Sequence, residues 1–247
     1  MTYLLELSYS GVNYSGFQIQ PNARTIAGEL TRASKLLFGT ECKVQGCSRT
    51  DAGVHAKQFF CSVHVPEDAN KVPDDRIPAA MNCLLPYDIA IKSAKTVRDG
   101  YNPRFETVSK EYCYIIYNRA EKNPFYHKLK LPYPYRLDEE MLDKQAKDFI
   151  GEHDFMSFMA VGSDVSSTVR EVYGASVKRD GDDVIFTVSA NGFLYNMVRI
   201  MVGTLLYISE GKIEQGDIPG IIEAKNRAAA GLTVPPDGLY LSKVVLK

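Results

Sequence analysis

The spacing of apolar and polar residues divides the chain into short segments of two different periods. Tyr3–Ser10 reads as a strand, and Gly11, Gly16 and Pro21 then punctuate a loop up to Thr25. From Ile26 to Phe38 the apolar positions recur at helical spacing, with Thr25 placed as N-cap and Gly39 at the C-terminal end. Cys42–Cys47 and Phe59–Val65 read as strands on either side of a loop around Asp51. A short helix follows Pro73, and Asp88–Ala94 is a further strand. The second half repeats that order. Glu111–Asn118 is a strand, Asp138–Ile150 a helix, and Thr168–Arg179 and Val184–Ala190 a hairpin across Asp180-Gly181-Asp182. Leu194, Met197, Val198, Met201, Val202, Leu205 and Leu206 fall at i, i+3, i+4, i+7 and i+8, so the helix carrying them buries a broad stripe. A helix over Asp217–Ala229 and a strand over Leu239–Leu246 close the chain.

Each half thus approximates β-α-β-β-α-β, the order of a ferredoxin-like unit with helices on one face of an antiparallel sheet. The expectation is an α+β protein of two such halves, residues 1–105 and 106–247, with a central cleft as the natural binding site. The chain has 247 residues, 45% hydrophobic and 24% charged, which suits an ordinary globular protein and neither disorder nor a fibre. No signal peptide or transmembrane segment is expected: the N-terminus lacks a basic and apolar leader, and Tyr195, Asn196 and Arg199 interrupt the longest apolar region. Five cysteines without a Cys-x-x-Cys pair fit reduced thiols in the cytoplasm, each filling the role of a small hydrophobe in a strand. No metal site is expected.

Net charge is −1, but it is unevenly distributed. Residues 98–136 carry eight Lys or Arg against four acids, and residues 138–190 carry twelve acids against five bases. Such segregation lets one face attract phosphates while another repels them, although solvated helix and loop faces give the same pattern.

The segment with the most chemical content is Cys47-Ser48-Arg49-Thr50-Asp51-Ala52-Gly53-Val54-His55. Arg49 and Asp51 are two apart and project to one side of an extended chain, while Gly53 permits a turn with positive φ. On these residues alone, Asp51 capping a turn with Arg49 paired to it is the commoner arrangement. The run Arg49 to Ala56, however, resembles the catalytic signature of the tRNA pseudouridine synthase A (TruA) family. Gly11 to Gln18, Arg24 to Leu30, Lys110 to Tyr114, Gly151 to Phe158, Asn191 to Arg199 and Gly238 to Leu241 are similar to further segments of that family, so the resemblance runs the length of the chain. Two positions depart from it: Ser48, where most members have Gly, and Ser10, where an Asp is common.

The resemblance implies a pseudouridine synthase fold and an isomerase that converts uridine to pseudouridine at positions 38 to 40 of the tRNA anticodon arm, as a cytoplasmic homodimer. It makes Asp51 the catalytic nucleophile, ionised at neutral pH given an ordinary aspartate pKa of about 3.9. It makes Tyr112 a contact to the target base, Arg49 the side chain that fills the gap when the base leaves its stack, and Arg199 a partner that orients Asp51. His55 and His64 receive a loop hydrogen bond and a strand position rather than catalysis. The product has the atoms of the substrate, so no cofactor is required, and the sequence carries no Walker loop, dinucleotide fingerprint or metal-ligand cluster. Rival readings are a noncatalytic RNA-binding module and a glycosidase, the latter normally needing two opposed carboxyl groups.

Overall fold

The structure, a computed structural model, describes residues 1–162 and 165–247. It forms two compact units: Met1–Val108 together with Leu241–Lys247, and Ser109–Tyr240. The first contains β1 (Thr2–Tyr9), α1 (Ile26–Phe38), β2 (Lys43–Gly46), β3 (His55–His64), α2 (Ile77–Leu84), β4 (Ile89–Val97) and the short α3 (Pro103–Glu106). β1 lies between β4 and β3, antiparallel to both, and β2 pairs with β3. Tyr3, Leu5, Leu7 and Tyr9 of β1 are buried while Leu4, Glu6 and Ser8 are half exposed, the alternation of a strand with one covered face. Each such buried side chain stabilises the fold by about 1.5–3 kcal/mol.

Both ends of α1 fall where the sequence predicts them. The Thr25 hydroxyl accepts from Gly28 N–H, and Gly39 takes φ +76°. Ile26, Ala27, Leu30, Ala33 and Phe38 face inward, and Phe38 stacks on Tyr3 of β1 with ring centroids 5.4 Å apart.

The second unit holds most of β5 (Thr107–Tyr117), then β6 (Leu131–Pro132), α4 (Glu139–Ala146), β7 (Gly151–Asp154), β8 (Val169–Asp180), β9 (Asp183–Ala190), α5 (Met197–Ser209), α6 (Ile218–Ala224) and the start of β10 (Leu239–Leu246). Its strands run in the order β5-β9-β8-β7, antiparallel, with β6 parallel to β5. The molecule is therefore mixed α+β.

Three helices are shorter than the sequence predicts. α4 starts after Asp138, whose carboxylate caps Met141 N–H at 3.0 Å, but gives way at Lys147 to a 3-10 turn that ends at Phe149. α6 stops at Ala224 because Lys225 turns left-handed, at φ +46°. α5 begins only at Met197, since Asn196 also sits at positive φ, +59°, so Leu194 precedes the helix. α5 is also buried more completely than a single stripe. Met197, Val198, Ile200, Met201, Val202, Gly203, Thr204, Leu205, Leu206 and Ile208 are all covered. The Thr204 hydroxyl supplies the polar contact such burial needs, donating to Ile200 O and accepting from Gly231 N–H.

Four cysteines are buried, but Cys83 is exposed on α2, so the strand-hydrophobe role does not extend to all five. Among the described residues no helix is long and apolar enough to cross a membrane, and no cluster of three or more His, Cys, Asp or Glu side chains could hold a metal ion.

Candidate active site

In the first unit, residues 47–54 connect β2 to β3 and are held from both sides. Cys47 N–H donates to Phe60 O at 2.8 Å, tying the start of the loop to the sheet. The opening loop after β1 grips the rest: Phe17 N–H donates to Thr50 O at 3.1 Å, and Gly53 N–H donates to Tyr14 O at 3.2 Å. The Thr50 and Tyr9 hydroxyls meet at 2.7 Å in a buried contact. Val54 N–H closes a turn onto Asp51 O at 3.2 Å, with Gly53 at the positive φ the sequence anticipated, +79°.

Two glycines permit this intimacy between loops. Gly16 has φ +92°, and a Cβ there would stand 2.5 Å from Thr50 O; at Gly11 a Cβ would stand 2.1 Å from Val54 O. Any larger residue would push the loops apart. His55 is fully buried, and its Nδ1 accepts from Gly11 N–H at 3.1 Å, the loop hydrogen bond expected of it. The Ser10 hydroxyl lies 3.4 Å from the same nitrogen, so the departure at position 10 keeps a polar contact there. Ser48 is not among the residues at positive φ, so the other departure carries no backbone strain.

Asp51 is thus a half-buried carboxylate on a loop whose backbone is fixed at Thr50, Asp51, Gly53 and Val54. A fixed backbone limits the directions in which such a side chain can point. Arg49, two residues earlier on the same loop, is exposed.

In the second unit, Tyr112 lies on β5 opposite Val188 of β9, and its ring meets Phe193 edge-on at 5.1 Å. Only 7% of Tyr112 is accessible. Tyr114, two residues along the same strand face, is fully buried and donates its hydroxyl to Pro235 O at 2.7 Å. Burial pushes its phenol well above the ordinary tyrosine range, with the Arg199 guanidinium opposing the rise. Arg199, in the first turn of α5, donates from Nε to Val234 O and from Nη1 to Asn196 Oδ1, both at 2.7 Å. The adjacent Val234 and Pro235 therefore anchor both Arg199 and Tyr114.

Among curated relatives, tRNA pseudouridine synthase A of Caldicellulosiruptor bescii is 41% identical over 242 residues, covering 98% of each chain. That of Ruminiclostridium cellulolyticum is 43% identical over 241 residues, covering 97% of each. The Staphylococcus aureus protein of the same name is 37% identical over 247 residues, covering 100% of this chain and 92% of its own. The chain belongs to the tRNA pseudouridine synthase A family. A family model described as tRNA pseudouridine synthase also matches residues 145–245.

This member's four sequence-selected residues are divided between its units, Arg49 and Asp51 in the first, Tyr112 and Arg199 in the second. Sequence reading missed two of the partners that fix them. Phe193 lay inside a family-like segment with nothing to mark its packing against Tyr112, and Val234 belongs to a segment brought to Arg199 only by folding. The expected charge segregation is also partly cancelled. Lys130 pairs with Asp183 at 2.6 Å, Arg136 with Glu139 at 3.7 Å and Arg119 with Asp182 at 3.6 Å, each a basic residue of one stretch against an acid of the other.

Proposed function

We propose that this chain isomerises uridine to pseudouridine at positions 38 to 40 of the tRNA anticodon arm, with Asp51 as nucleophile. The isomerase activity on tRNA follows from family membership across nearly the whole chain. The observation that supports the residue assignment is the Asp51 loop, a half-buried carboxylate on a backbone fixed at Thr50, Asp51, Gly53 and Val54.

In this reaction the N1–C1′ bond breaks, the uracil turns while held, and C5 bonds to C1′; the C5 proton leaves and N1 gains one. Asp51 attacks or stabilises positive character at the sugar. The atoms balance without a redox carrier or metal, so the proposed enzyme uses no cofactor. Taking the base out of its stack costs a few kcal/mol. Arg49, exposed on the same loop, fills the space left behind. Arg199 binds substrate, and its charge has no carboxylate partner among the described residues of its own unit. The two units are read as ferredoxin-like halves, the first presenting the catalytic loop and the second Tyr112 and Arg199, in a cytoplasmic homodimer.

Tyr112 contacts the uracil through its ring. Tyr112→Ala is therefore expected to weaken tRNA binding by roughly 5- to 150-fold, the equivalent of about 1–3 kcal/mol of base–aromatic stacking. Tyr112→Phe keeps the ring and the affinity; equal losses in both variants, in a filter-binding titration, exclude the stacking role.

The overall reading is tested with tRNA carrying tritium at C5 of its uridines. Release to water is expected from the natural anticodon arm and not from one with cytidine at positions 38 to 40. Absence of release from the first overturns the reaction; persistent release from the second overturns the positions.

A further inference from the structure

Asp88 stands immediately before β4, at the end of a strand paired along its length with β1. Its main-chain oxygen accepts from Ser10 N–H at 2.9 Å. One carboxylate oxygen accepts from Asn13 Nδ2 at 3.2 Å and the other from the Tyr14 hydroxyl in a very short hydrogen bond. Asp88 therefore holds the opening loop at three points.

Tyr14 carries that anchorage to the reactive loop. It is buried, its N–H donates to Gly11 O at 3.0 Å, and its carbonyl accepts from Gly53 N–H at 3.2 Å, two residues from Asp51. The Arg24 guanidinium covers the Tyr14 ring at 4.7 Å from the centroid and is itself fixed by Glu29 at 2.8 Å. The residue thus spans the distance between a charged acceptor at a rigid strand end and the backbone of the turn that presents Asp51. We propose that Tyr14 and Asp88 form a brace that sets the position of Asp51, a positioning role that rests on Asp51 being the nucleophile. A hydrogen bond to an ionised carboxylate is roughly twice as strong as one between neutral groups, which suits a brace. Burial, followed by the bond to Asp88, keeps the Tyr14 phenol protonated far beyond neutral pH, so the donor is always present. Removing the hydroxyl releases Tyr14 from the strand end while leaving its ring under Arg24, and the freed loop lets Asp51 drift. A displacement of about 1 Å in a reacting group costs on the order of 100-fold in rate.

The test is single-turnover conversion of C5-tritiated tRNA at saturating enzyme by Tyr14→Phe, Asp88→Asn and the double variant, below the melting temperature of each. Each single change is expected to slow conversion by about 10- to 100-fold with tRNA affinity unchanged. The double variant is expected to be no slower than the worse single one, because both remove one interaction. Wild-type rates in Tyr14→Phe, a loss confined to tRNA affinity, or effects that multiply in the double variant each overturn the brace. Asp51→Asn in the same assay separates the two levels. If it converts tRNA normally the nucleophile assignment fails; if it is inactive while Tyr14→Phe runs at full rate, only the brace fails.

Discussion

Asp51→Asn is expected to lose tritium release from C5-labelled tRNA by at least about 10³-fold, the scale on which removal of a nucleophile is felt. The amide has the shape of the carboxylate, and the main-chain bonds at Thr50, Asp51, Gly53 and Val54 that hold the loop do not change. The folded state is therefore expected to survive, with a melting temperature close to that of the wild type. RNA binding should hold or tighten slightly, since removing a negative charge lowers repulsion of the tRNA phosphates. The informative result is dissociation of the two measurements: filter binding retained, tritium release gone. Release within tenfold of wild type at equal binding would remove Asp51 from the chemistry.

Gly203→Ala should damage the second unit through one methyl group. Within a helix, alanine is ordinarily favoured over glycine by about 1 kcal/mol. Here a Cβ would stand 1.8 Å from Leu232 O and 2.8 Å from its carbonyl carbon, and neither is a side chain that can swing away. The clash outweighs the propensity. Overpacking of this kind costs typically 1–3 kcal/mol; at about 3 kcal/mol the melting temperature of a chain this long falls by roughly 6–12 °C. The change also reaches function. Residues 230–234 must move off α5, and that segment supplies the Val234 carbonyl to which Arg199, one turn earlier, donates. Weaker tRNA binding is expected alongside the lower melting temperature, measured by calorimetry and filter binding. An unchanged melting temperature would mean that Leu232 yields without cost.

α1 was legible from end to end because its signals are local: a threonine that can reach the N–H three residues on, a helical stripe, and a glycine that can turn left-handed. The hairpin of β8 and β9 was legible for the same reason, through its Asp-Gly turn. α4, α5 and α6 were placed correctly but drawn too long: Asn196 and Lys225 adopt left-handed conformations that bound α5 and α6, and the last turn of α4 tightens into a 3-10 turn, none of which the neighbouring sequence announces. The β7 strand lay unmarked for a related reason. It is a four-residue edge segment paired with β8, so its extended form depends on a neighbour distant in sequence.

For the Asp51 loop the division is sharper. The turn at Gly53 and the family of the chain could both be read from consecutive residues, because an Arg-x-Asp run with a glycine two residues on is chemically distinctive in one dimension. That Arg49 stands exposed could not be read, since a residue that can project to the same side as Asp51 is not thereby placed in solvent or against it. Nor could the grip of Tyr14 and Thr50, the hydroxyl of Tyr14 on Asp88, or the anchoring of Arg199 by Val234. Which groups are present, and which short segments they stand on, is written in consecutive residues. Which carbonyl, carboxylate or ring each group meets follows from folding, because those partners lie tens of residues away and a hydrogen bond forms only where donor and acceptor come to about 3 Å.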